Sequence, residues 1–183
     1  MKYHLAVDCG GTKVLAIIYD DAFRPVRFCR TGSTRMTSTP KQVIQRNITT
    51  VVETLGLQGM TISTLCGSCD EDLYQALCDV CTIEDRLAVN ELSAGLAAAE
   101  CFEDGYLALA GTGATLFCRY HGKDWVAGGY GSVISDEGSG YWIAREGFGA
   151  AIRSQEGWGE YTLLQKLIPE YLAKDAGNFL EAL

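Results

Sequence analysis

Val7-Asp8-Cys9-Gly10-Gly11-Thr12-Lys13 and Leu109-Ala110-Gly111-Thr112-Gly113-Ala114-Thr115 are the stretches whose reading decides the fold. Each is the end of an apolar run, a turn of Gly and Thr, and the start of a second apolar run, and the two recur about a hundred residues apart. A strand rather than a helix follows each turn, which excludes the dinucleotide-binding fingerprint. No G-x-x-x-x-G-K-[ST] run is present, which excludes a Walker loop. Glycine leaves backbone N–H groups uncovered, and several of them aimed into one concavity make an anion nest. Thr12 and Thr112 add hydroxyl donors and Lys13 adds a positive charge. Asp8, at the end of the first strand, is a carboxylate that could hold Mg²⁺ through water against a phosphate. Either turn alone is also what an ordinary hairpin uses. The pair, with an Asp ahead of one of them, points to two nests gripping a di- or triphosphate from both sides.

Outward from these turns the pattern is α/β. Residues 3 to 8 alternate in the manner of a strand, Val14 to Tyr19 and Val26 to Arg30 follow as two more, and together they read as an antiparallel meander. Thr39-Pro40 reads as a cap with Pro at the first helical position, Val43 to Leu55 has helical spacing, and Gly56 ends it. Thr61 to Cys66 is a strand, Asp70 caps a helix, Leu87 to Asn90 is a strand and Glu91 to Phe102 a helix. The meander then repeats over Tyr106–Ala110, Ala114–Tyr120 and Trp125–Gly129. Helices are predicted over Tyr141–Ile152 and Glu160–Leu167, broken near Pro169, with a weakly determined helical tail from Tyr171 to Leu183. The boundary falls near Glu103–Gly105, giving units 1–104 and 105–183.

Composition bounds the chemistry. The 183 residues carry a net charge of −8, with 48% hydrophobic and 21% charged residues. That is a globular balance, and without a Lys/Arg cluster it argues against nucleic acid or an anionic membrane surface as partner. The longest nearly uncharged apolar stretch, Leu92 to Ala99, is too short to span a bilayer. The N-terminus lacks the features of a signal peptide, so a cytoplasmic protein is expected. The chain has eight cysteines. Cys66-x-x-Cys69 and Cys78-x-x-Cys81 have the spacing of a zinc or redox site. The segment between them reads as a helix, however, with Cys78 and Cys81 on the apolar face of Leu73 and Leu77, so small buried hydrophobes are the expected role.

Beyond the two turns lies Gly128-Gly-Tyr-Gly131 followed by Ser135-Asp-Glu-Gly-Ser-Gly-Tyr-Trp-Ile143. With Asp8–Lys13 and Ala110–Ala114, this string closely resembles the signature of the BadF/BadG/BcrA/BcrD ATPase family, specifically its N-acetylglucosamine kinase branch, within the actin and hexokinase superfamily. The resemblance runs from residue 2 to about residue 160. It implies an actin-like (ribonuclease H-like) α/β fold with a complete N-terminal lobe and part of a second lobe, each opening with an antiparallel β-meander. It implies ATP and Mg²⁺ as cofactors and phosphoryl transfer to an amino sugar. By analogy Gly10, Gly11, Thr12 and Lys13 contact the β/γ-phosphates, Asp8 lies near Mg²⁺, and Gly111, Thr112 and Gly113 cradle the phosphates from the other lobe. Gly129, Tyr130, Gly131 and Asp136 resemble the sugar-holding part, with Glu137 supporting the loop.

The family's general base is an Asp in an Asn-Asp pair, and the matching pair here is Asn90-Glu91, one methylene longer. Glu91 reads either as that base or as a first-turn acid favoured by the helix dipole. Asp136 and Glu137 read either as ligand contacts or as caps ahead of Tyr141. Tyr130 stands where the family has Trp, and Gln155-Glu-Gly-Trp-Gly159 where it often has Asp-Gly-Arg-Gly. Nothing after Gly159 resembles the family's adenosine segment, so the resemblance implies a second lobe present to about half its length, with an exposed apolar edge that favours a homodimer. Two other readings stay open: an ATPase activator that drives an iron–sulfur-dependent dehydratase, and a sugar-binding module without catalysis.

Overall fold

The computed structural model describes residues 2–36, 39–100 and 103–172. The chain divides into two compact units, Met1–Phe102 and Glu103–Leu183. In the first, β1 (Tyr3–Cys9), β2 (Lys13–Asp20) and β3 (Pro25–Gly32) form the antiparallel meander, and β5 (Thr64–Ser68) and β7 (Arg86–Ala88) extend it. The sheet order is β3-β2-β1-β5-β7, with β1, β5 and β7 parallel. A separate parallel pair is made by β4 (Thr61–Ile62) and β6 (Thr82–Ile83).

Period-two burial on β1 and β2 puts Leu5, Val7, Cys9, Val14, Ala16 and Ile18 in the core. Over them pack Val51 and Leu55 of α1 (Lys41–Leu55) and Leu73 and Leu77 of α2 (Glu71–Val80). Gly56 closes α1 in the left-handed region at φ 59°, and the amides of Gly56 and Leu57 return to Glu53 and Val52. That is the terminus glycine favours. After β7 the first unit ends with α3 (Glu91–Ala98).

The hairpin corner after β2 is held by one carboxylate. Asp20 accepts hydrogen bonds from the Ala22 and Arg24 amides at 2.9 and 3.0 Å and from Arg24 Nε at 2.9 Å, with Arg24 Nη2 at 2.7 Å. The Arg24 side chain, above all, keeps this carboxyl below the usual Asp range. A depressed folded-state value adds stability above the unfolded value and loses it as pH falls through the folded one. Asp20→Asn is therefore expected to lower the melting temperature at pH 7. Its gap to the parent should shrink as pH falls from about 4 down through the depressed folded value, in a pH series of thermal melts.

The second unit repeats the meander as β8 (Gly105–Ala110), β9 (Ala114–Tyr120) and β10 (Lys123–Gly128), in the order β10-β9-β8. It continues into α4 (Gly140–Gln155) and α5 (Leu164–Tyr171). Among the described residues its buried apolar side chains are Phe117 and Ala151. Tyr106, Leu116 and Trp125 share one sheet face by register and are exposed. No helix among the described residues is long and apolar enough to cross a membrane.

Several local expectations are corrected. Pro40 itself is the N-cap of α1, and proline at that position offers no side-chain acceptor to cap it. Thr61 to Cys66 is two strands rather than one, divided at Ser63, whose amide bonds to the Tyr3 carbonyl. Asp70 stands at the α2 N-cap without capping it, since its carboxylate is taken by Thr34. Cys78 is exposed, while Cys81 is buried with Leu73 and Leu77 at four-residue steps. Asn90 is not in a strand but caps α3, its Oδ1 accepting from the Ser93 amide at 2.7 Å. The expected end of that helix, Cys101 and Phe102, lies outside the described residues. Residues 160–163 are not helical, because the Thr162 amide bonds back to Ser154 Oγ at the end of α4. Pro169 sits inside α5. Of the predicted tail, residues 173–183 lie outside the described residues.

Candidate active site

The parallel register Asp8↔Ser68 and Gly67↔Ala88 brings the carboxyl ends of β1, β5 and β7 level. In open α/β sheets that edge is where ligands bind. Three elements leave it: the Gly10–Lys13 turn from β1, Asp70 leading into α2, and Asn90-Glu91 opening α3. The Gly10 amide bonds the Lys13 carbonyl at 2.8 Å to close the turn. A Cβ on Gly10 would stand 3.2 Å from that same oxygen, so a side chain there would press on the turn. Asp8 is exposed, as are Thr12 and Lys13.

What ties these pieces together is a short loop after β3. Ser33 Oγ donates to the Gly10 carbonyl at 2.9 Å and accepts from the Arg35 amide at 3.1 Å. Buried Asn47 of α1 donates to the Ser33 carbonyl at 2.9 Å. Thr34 Oγ1 donates to Asp70 Oδ2 at 2.7 Å and lies 3.8 Å from Cys9 Sγ. Arg35 reaches two carboxylates, Asp70 Oδ1 at 3.8 Å and Glu91 Oε1 at 3.4 Å. Ser33 and Thr34 are buried polar residues, and buried polar groups persist where they are paired. Sequence reasoning reads this loop only as polar. Its partners stand 14 to 56 residues away, so no local pattern marks it.

Beneath the turn Cys9 lies in the core and Cys69 packs against it, the Cys69 thiol donating to the Asp70 carbonyl at 3.6 Å. The interaction between the two thiols, ahead of burial, holds Cys9 below the ordinary thiol range and pushes Cys69 above it.

The second unit gathers its own constellation. The Gly111 amide closes its turn on the Gly113 carbonyl at 2.8 Å, and the Gly140 amide at the start of α4 bonds the Gly111 carbonyl at 2.7 Å. A Cβ on Gly113 would lie 2.8 Å from Asp136 Oδ2, and one on Gly129 would collide with Thr115 Oγ1. Asp136 is buried at φ 66°, unusual for a residue other than glycine, and its Oδ1 has no hydrogen-bond partner among the described residues. Such strain and an unmatched buried acceptor are features that ligand sites carry. The helix cap is Ser139, whose Oγ accepts from the Trp142 amide at 3.0 Å, so the capping role read for Asp136 and Glu137 is replaced. Glu137 and Tyr130 are exposed, and Gly131 has a positive φ of 96°. Gly111 and Thr112 are exposed at the tip of the turn.

The residues present fit a phosphate ligand with magnesium. In the first unit the exposed Thr12 hydroxyl, Lys13 ammonium and Asp8 carboxylate are the groups that suit them. Among the described residues, no three His, Cys, Asp or Glu side chains close on one point as metal ligands. Mg²⁺ keeps waters and takes one or two carboxylates plus phosphate oxygens, and Asp8 is the exposed carboxylate beside the first turn.

A family model described as the BadF/BadG/BcrA/BcrD ATPase family matches residues 5–181. The chain belongs to this ATPase family. It is 29% identical over 188 residues to an N-acetylmuramic acid/N-acetylglucosamine kinase of Clostridium acetobutylicum, covering 94% of this chain and 60% of that protein. Two solved structures share its fold with a TM-score of 0.67 each. One is a provisionally named N-acetylglucosamine kinase from Chromobacterium violaceum, at 18% identity, covering 96% of this chain and 66% of that one. The other is its provisionally named counterpart from Porphyromonas gingivalis, at 16% identity, covering 92% of this chain and 62% of that one. This member of the ATPase family thus has the actin-like α/β fold and spans less than two thirds of the length of these relatives.

Proposed function

We propose that the chain carries the phosphate-binding and acceptor-activating parts of an ATP-dependent kinase for an amino sugar such as N-acetylglucosamine. One observation carries this reading. The Gly10–Lys13 turn and the Glu91 carboxylate stand at the carboxyl ends of one parallel sheet, joined through Ser33 and Arg35. Bound ATP supplies the phosphoryl group, with Mg²⁺ spreading its charge.

The turn of Gly10, Gly11 and Thr12, with the Lys13 ammonium, would hold the terminal phosphates, and Asp8 would hold Mg²⁺ through water. Gly111, Thr112 and Gly113 would supply further phosphate contacts. Gly129, Tyr130 and Gly131 would hold the sugar, with Asp136 Oδ1 accepting a hydroxyl or amide proton and Glu137 supporting the loop. Glu91 would take the proton from the acceptor hydroxyl as it attacks. Arg35 keeps one Glu91 oxygen engaged, leaving the other for that proton. The same reading has a cytoplasmic homodimer, for which the exposed Tyr106, Leu116 and Trp125 face offers support.

The test is binding followed by turnover. MgATP and N-acetylglucosamine should each raise the melting temperature, with about 2.7 kcal/mol added at a hundredfold excess over Kd. ADP release should depend on the sugar. Absence of any shift with either ligand would sink the reading.

A further inference from the structure

The sequence pairs Cys66 with Cys69, but the fold pairs Cys69 with a different partner. Along the parallel β1–β5 ladder, Leu5 stands opposite Leu65, Val7 opposite Gly67 and Asp8 opposite Ser68. Cys9 and Cys69 are the next residues on each chain. By period two, Cys9 follows Leu5 and Val7 onto the core face, and Cys69 follows Leu65 and Gly67 onto the same face. Cys66, three residues before Cys69, points to the opposite face. Cys9 lies in the core cluster and Cys69 packs against it, and Thr34 Oγ1 lies 3.8 Å from Cys9 Sγ. Adjacent strands run about 4.8 Å apart, within the Cα separation of about 4.4–6.8 Å that a disulfide bridges. Cys9 is buried, while Cys69 is partly exposed.

We propose that Cys9 and Cys69 form a modification site for peroxide-class oxidants, closing to a disulfide at the base of the Gly10–Lys13 turn. In the first step one of the two sulfurs bonds one peroxide oxygen and the O–O bond breaks. This leaves a sulfenic acid and releases one water. In the second, the other sulfur attacks the oxidised one, the S–S bond forms, the S–O bond breaks and a second water leaves. Both thiol protons depart in the waters, two sulfurs are oxidised by one electron each, and the peroxide is reduced. Thiol reductants reverse the step.

Cys9 is bonded directly to Gly10, and Cys69 directly to Asp70, which Thr34 and Arg35 hold. A bridge between them ties the turn to the start of α2. If the turn binds phosphate, as the kinase reading has it, oxidation should weaken MgATP binding by a factor within the usual coupling range of about 5–150. Bound MgATP should oppose disulfide formation by the same factor.

The experiment treats the whole chain with hydrogen peroxide, blocks remaining thiols with iodoacetamide and maps crosslinked peptides by mass spectrometry. A dithiothreitol-reversible Cys9–Cys69 peptide is expected. Cys69→Ser should abolish it and Cys66→Ser should leave it, with circular dichroism checking that both variants fold. A Cys66–Cys69 bridge, or oxidation confined to exposed Cys78, overturns the proposal. MgATP titration of reduced and oxidised chain then reads the coupling. Equal affinity in both states overturns the link to the turn. If the reduced chain does not bind MgATP, the kinase reading fails, while a mapped Cys9–Cys69 bridge still supports the site.

Discussion

Gly67→Ala should leave the first unit without a cooperative folding transition. Gly67 lies in the middle strand of the parallel set at φ 126°, a conformation that L side chains rarely adopt. A Cβ there would overlap the Val7 carbonyl oxygen and stand 3.0 and 3.3 Å from the Val7 carbonyl carbon and amide nitrogen. Val7 cannot retreat, because its side chain is in the core and its backbone sits between β2 and β5. The backbone conformation alone costs about 1–3 kcal/mol in a residue other than glycine. Prising β1 from β5 adds the loss of ladder bonds at the centre of the sheet. Together these exceed about 4 kcal/mol, against a total stability of about 5–15 kcal/mol for a domain. Urea unfolding followed by circular dichroism is the measurement. Gly59→Ala is the companion, since Gly59 also has a positive φ, 71°, but open space around its Cβ. Gly67→Ala unfolding as cooperatively as Gly59→Ala would refute the packing argument.

Glu91→Gln should abolish sugar-dependent turnover while leaving fold and nucleotide binding in place. As a general base the carboxylate contributes about 10²–10⁴ in rate. As a mere first-turn acid its loss costs about 0.3–1 kcal/mol of stability and nothing in kcat. The two roles therefore separate cleanly: kcat and the melting temperature are measured on the same variant. Glu91→Asp adds a second axis, because a shorter side chain gives up the 3.4 Å contact with Arg35. A displacement of about 1 Å costs about a hundredfold in rate. If Glu91→Gln loses stability but no activity, the residue is structural and another base must be sought.

What was readable in the chain and what was not divides by range. Tyr3 to Asp20 declares itself because alternation, a glycine turn and a second alternating run lie within twenty consecutive positions, and every cue is local. The Gly128–Gly131 and Ser135–Ile143 strings are likewise dense enough in glycine to mark a loop built for close approach. Asp70 misleads because an N-terminal Asp is the usual cap, whereas its carboxylate goes to Thr34, 36 residues earlier in the chain. At Asp136 only the capping alternative fails, with Ser139 doing the capping and Asp136 turned inward toward Gly113. Cys78 and Cys81 are three apart, a spacing that looks like one helix face, yet the buried stripe advances in fours from Leu73 through Leu77 to Cys81. Ser33, Thr34, Arg35 and Asn47 carry no motif at all. Their importance exists only after β1, α1, α2 and α3 have been brought together.

The Ser33–Arg35 loop has a consequence for how such a protein can diverge. It has no ladder of its own, and its shape is set by donors and acceptors lent by Gly10, Asn47, Asp70 and Glu91. A replacement at one of these positions strands its counterpart inside the protein. Lineages of this fold are thereby constrained to change in compensated sets, one hydroxyl or amide traded together with its correspondent, and drift here proceeds in jumps where the surrounding surface drifts in single steps.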